Sequence, residues 1–116
     1  SVAHDSHNII VVGVTDQDIC KAVNNIINEK GGICAVCEDE GINEILPLPF
    51  AGLMSNASYE DVAAKYVKLD ELAKSFGSGL YAPFMTLSFM ALLVIPEIKL
   101  SDKGLFDGTK FEFINF

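Results

Sequence analysis

Apolar positions follow different spacings along the chain. Residues 8–14 hold Ile9, Ile10, Val11, Val12 and Val14 with no charge, which predicts a buried strand. Thr15 and Asp16 then offer an N-cap, and Asp18 puts negative charge in the first helical turn. Ile19, Ala22, Val23, Ile26 and Ile27 recur at helical spacing. They predict an amphipathic helix, ended by Gly31-Gly32. Residues 33–38 predict a second strand, Asp39-Glu40-Gly41 a turn, and residues 42–46 a third strand antiparallel to the second. Strand, helix and strand at these lengths predict a right-handed βαβ unit.

Pro47 and Pro49 forbid helix and interrupt any central ladder, so residues 46–55 form an apolar loop. Ser58 caps a long helix with Asp61 as capping-box partner, and Val62, Ala63, Tyr66, Val67, Leu69, Leu72, Ala73 and Phe76 supply its apolar face. Gly77-Ser78-Gly79 stops it. Residues 83–95 are nearly all apolar. Pro83 at a first helical position suits a short helix through about Ala91, with Phe84, Leu87 and Ala91 on one face, although a strand stays open there. Pro96 ends this stretch, residues 97–100 are extended, Ser101-Asp102-Lys103-Gly104 is a turn, and residues 110–116 alternate as a final strand. The expected fold class is α/β in a loose, α+β-like sense: a small mixed β-sheet packed by helices, beginning with the βαβ unit, in one domain over residues 1–116.

Composition narrows the function classes. A chain of 116 residues, half of them hydrophobic, supports one core. The net charge of −8 argues against nucleic acid and anionic membrane surfaces as partners. The apolar run at residues 90–95 is too short to span a bilayer. The first residues hold no Lys or Arg, so no signal peptide is expected, and three cysteines without secretion marks point to a reducing, cytoplasmic setting. No initiator Met is present, and the chain opens almost directly on a strand-like run. The expectation is a domain cut from a longer protein.

Chemistry concentrates in His4-Asp5-Ser6-His7-Asn8, which holds both histidines of the chain. Placed at the mouth of a buried strand, these five are the candidate active-site contributors. His4, Asp5 and His7 have the right donors for zinc, manganese or iron, but a third histidine is lacking. Ser6 beside a histidine is a weak nucleophile motif, because triads assemble across space. The structural alternative is a strand entrance in which Asp5 and Asn8 satisfy backbone groups. Cys34-Ala35-Val36-Cys37 matches C-x-x-C, but on a strand this spacing puts the sulfurs on opposite faces. Gly31-Gly32 ends a helix where a phosphate loop would begin one.

Three stretches carry a resemblance. They are residues 4–8 before the Ile/Val run and Gly13, the loop Leu46-Pro47-Leu48-Pro49-Phe50-Ala51-Gly52-Leu53-Met54-Ser55, and residues 83–92 with Val94-Ile95-Pro96-Glu97, Lys99-Leu100 and Gly104-Leu105. In that order and spacing the chain resembles the C-terminal region of bacterial-type adenine deaminases of the amidohydrolase superfamily, over essentially its whole length. The resemblance implies hydrolysis of adenine to hypoxanthine and ammonia by a metal-activated water, with manganese or iron held in a separate (β/α)-barrel domain. The barrel's histidine-rich ligand motifs are absent from this chain. A non-catalytic domain is therefore implied, packed on its own N-terminal barrel domain in a homo-oligomer, with no metal of its own. A stand-alone interaction or small-ligand-binding module is the second reading, and a small metal-dependent hydrolase using His4, Asp5 and His7 the third.

Overall fold

The computed structural model describes residues 1–3 and 5–114. Helix α1 spans Asp16–Asn28, and the Thr15 hydroxyl accepts from Asp18 N at 3.1 Å as its N-cap. Two of the orphan carbonyls at its C-terminus are closed by a Schellman arrangement. Gly31 N donates to Ile26 O at 2.8 Å and Lys30 N to Ile27 O at 3.1 Å. The left-handed residue of this cap is Lys30, at φ 60°, and not a glycine. Gly31 is needed for a different reason. A Cβ there would sit 2.4 Å from Gly52 Cα, so two backbones cross where a side chain has no room.

Strand β1 (Gly32–Cys37) pairs antiparallel with β2 (Ile42–Pro47), Ile33 opposite Leu46 and Ala35 opposite Glu44. Helix α2 (Tyr59–Ser75) starts from Ser58, whose hydroxyl accepts from Asp61 N at 3.2 Å and donates to the Asp61 carboxylate at 2.8 Å. Its own Schellman cap does use glycine, with Gly77 at φ 104°. The hairpin lies between the two helices. On one face Ile33, Ala35, Leu46 and Leu48 form the core with Leu69 of α2, the most deeply buried large side chain among the described residues. On the other, Cys34 Sγ donates to Ala22 O of α1 at 3.4 Å.

Short helix α3 (Pro83–Phe89) begins with proline at its first position and continues the core by way of Phe84, whose ring meets Tyr66 edge-on at 6.5 Å. The apolar stretch around residue 85 is thus helical. Strands β3 (Ile98–Ser101), β4 (Gly104–Asp107) and β5 (Glu112–Phe113) form a second antiparallel sheet in chain order. Phe106 on β4 packs edge-on against Phe111 and Phe113. Residues 115 and 116 of the expected final strand lie outside the described residues.

The mixed α and β character stands, with helices packed on small sheets, but the opening unit differs from the expectation. Among the described residues both sheets are antiparallel, and residues 9–14 belong to neither. They carry no regular secondary structure, bend at Val14 and are largely exposed, with Val12 at 78% and Val14 at 102% of full exposure. A β-branched run favours a pleated, half-buried surface. It becomes a strand only where a neighbour offers main-chain hydrogen bonds, and no described strand lies beside it.

Candidate functional site

Asp5, Ser6 and His7 lie in a turn. Ala3 and Asn8 make an antiparallel bridge. Between them Ala3 O accepts from Ser6 N at 3.2 Å and from His7 N at 2.7 Å. His7 takes the left-handed conformation at φ 52°. Asp5, His7 and Asn8 are exposed and Ser6 is half-buried, while His4 lies outside the described residues. The turn therefore stands ahead of an exposed segment, not at the mouth of a buried strand as expected. His7 reaches a small cavity of about 210 Å³ shared with Ser1, Ile9, Lys30 and Gly52.

Ser1 was not singled out by any sequence signal, yet it ties three segments together. Its Oγ donates to Gly52 O at 3.0 Å and accepts from Gly32 N at 2.9 Å, and its nitrogen donates to Gly32 O at 2.5 Å. It thus links the N-terminal arm, the first residue of β1 and the loop after β2. That loop carries Phe50 and Met54, which bridge each other and stay exposed, whereas Leu48 is in the core.

The electrostatics of the described residues are those of a scaffold. Asp18 Oδ1 accepts from Glu38 N at 3.0 Å, and Lys21 meets the Glu38 carboxylate at 2.7 Å. The Thr15 hydroxyl and then the Glu38 N–H hold the Asp18 carboxyl below its ordinary pKa. Burial pushes the Cys34 thiol up. All three cysteines are free. Among the described residues no three His, Cys, Asp or Glu side chains converge as a cation would require. The candidate set His4, Asp5 and His7 includes His4, which lies outside the described residues, and no metal-dependent step is derived for this chain.

Comparison with known proteins adds what geometry alone does not. A family model described as the adenine deaminase C-terminal domain matches residues 1–112. The chain belongs to this family. A relative from Sulfurovum sp. (strain NBC37-1), named adenine deaminase, is 64% identical over 116 residues, which is 99% of this chain and 21% of that protein. Relatives of the same name from Methanosarcina barkeri and Borreliella burgdorferi are 57% and 52% identical, over 98% and 100% of this chain. The chain spans about a fifth of the length of these relatives.

Proposed function

We propose that this chain is the C-terminal domain of an adenine deaminase, and that the full-length protein hydrolyses adenine to hypoxanthine and ammonia. One observation carries the reading: the adenine deaminase C-terminal family model spans residues 1–112, and the relatives it resembles at 50–64% identity are named for that activity. In this reading the attacking water is activated on manganese or iron held outside this chain, in an N-terminal barrel domain of the amidohydrolase superfamily. The domain's own part is to pack on that barrel, in a cytoplasmic, homo-oligomeric enzyme of purine salvage. The exposed apolar side chains of the loop after β2, Phe50 and Met54, support a buried role in the whole protein.

The polar stretch 4–8 is the part of this domain that we place nearest the substrate side. The exposed Asp5, His7 and Asn8, with Ser6, are polar groups on a short loop, suited to orienting groups on a facing surface, and His4 is proposed to act with them. The test is steady-state deamination of adenine by the full-length protein, followed by ultraviolet absorbance. Wild type converts adenine to hypoxanthine. His7→Ala lowers kcat/KM while leaving the melting temperature unchanged. Absence of deamination by the metal-loaded full-length protein would refute the reaction; unchanged kinetics in His7→Ala would refute only the role of the turn.

A further inference from the structure

The edge of β1 turned away from β2 holds the start of another strand. Among the described residues β1 is hydrogen-bonded to a strand on one side only. Leu48 N donates to Gly31 O, so in this antiparallel register the main-chain groups of Ile33, Ala35 and Cys37 face β2. Those of Gly32, Cys34 and Val36 point to the opposite edge. Gly32 is already engaged there, through the nitrogen and Oγ of Ser1. From that point the chain leaves the edge. Val2 packs on the core, Ala3 bridges Asn8, and residues 9–14 run back along the far wall of a groove of about 970 Å³ whose near wall is β1.

We propose that the residues immediately preceding Ser1 in the longer protein form a β-strand that fills this groove. It runs antiparallel both to β1 and to residues 9–14 and joins them in one sheet. The inference rests on the reading that this chain is the C-terminal part of a protein about five times its length. Two independent contacts set its register, and they agree. Ser1 opposite Gly32 places the second residue before Ser1 opposite Cys34 and the fourth opposite Val36. The Ala3–Asn8 bridge, extended through the same residues, places them opposite Val12 and Val14. About five residues complete the edge of β1. A strand from another molecule is disfavoured, because Ser1 N already occupies the Gly32 end and the peptide entering Ser1 must leave along that line. The order becomes residues 9–14, incoming strand, β1, β2. Residues 9–14, α1 and β1 then form a split βαβ, with one strand inserted between its two strands.

In the full-length protein, the second residue before Ser1 is replaced by Cys and the protein treated with dibromobimane, which bridges neighbouring thiols. Directly opposed strand residues have Cβ atoms about 5 Å apart, so an intramolecular bridge to Cys34 is expected, identified by peptide mass mapping. Cysteine at the first residue before Ser1 points to the other face, and its bridging to Cys34 falls to background. In unmodified full-length protein the amides of Cys34 and Val36 exchange slowly with deuterium. Absence of the Cys34 bridge together with fast exchange at those amides overturns the proposal, and so does a bridge formed only between two molecules. Adenine deamination is scored on the same preparations. Activity with neither the bridge nor slow exchange sinks the strand; the bridge without activity sinks the proposed reaction and leaves the strand standing.

Discussion

Lys30 is a residue whose environment favours another side chain. It holds the left-handed position of the α1 cap at φ 60°, where a Cβ costs roughly 1–2 kcal/mol and glycine costs far less. Lys30→Gly is expected to stabilise the chain by about 1 kcal/mol, after the entropic penalty of glycine in the unfolded state, as a shift in urea midpoint. Asp18 makes a pH prediction. Its folded pKa is depressed, chiefly by the Thr15 hydroxyl and then by the Glu38 N–H. The unfolded carboxyl titrates near pH 4, at about 3.9. The stabilisation is therefore fully present above that value and lost as pH falls through the folded pKa. Urea midpoints of wild type and Asp18→Asn should differ at pH 7 and converge in acid; a constant gap would mean that the carboxylate is not what Asp18 contributes. These caps were legible because Thr15, Ser58 and Gly77 act through neighbours close in sequence. The left-handed Lys30 was not, since Gly31-Gly32 follows it and offers the more obvious stop.

At the scale of elements, the β1–β2 hairpin and α2 depend on each other. Leu69 is 1% exposed and meets Ile33, Ala35, Leu46 and Leu48. Leu69→Ala is expected to destabilise by about 2–5 kcal/mol, as deletion of a buried leucine does when its cavity cannot collapse. Thermal denaturation measures this, and a loss under about 1 kcal/mol would show that the core is looser than its burial indicates. Both helices and the hairpin followed from periodicity and turn residues. Strand β4 did not, because Gly104–Asp107 is only four residues with a single buried position, Phe106. Too few residues carry the alternation for a pattern to register.

The whole molecule has two separate centres of packing. One is the hairpin between α1 and α2; the other is the aromatic cluster of Phe106, Phe111 and Phe113 in the β3–β5 sheet. The second sheet draws its main contacts from its own strands, so it should open at lower free energy than the first. Phe106→Ala is expected to speed amide exchange across β3 and β4 while leaving Ile33 and Ala35 as protected as before. Equal acceleration in both sheets would show one cooperative unit. The radius of gyration, 14.9 Å, exceeds the roughly 13 Å of a fully condensed chain of this length. That excess accords with a groove beside β1 and an unpaired segment at residues 9–14.

By itself the sequence determined the helices, their caps, the β1–β2 hairpin and the family resemblance, because each rests on residues a few positions apart or on long contiguous motifs. It also marked residues 9–14 as strand-forming and residues 4–8 as the concentration of polar chemistry. What those residues face was decided only in three dimensions. Strand pairing needs a partner's main-chain groups, and burial needs a covering surface, and neither is encoded in the run itself. The same holds for Ser1, an ordinary serine in sequence, which the tertiary structure ties to both β1 and the loop at Gly52.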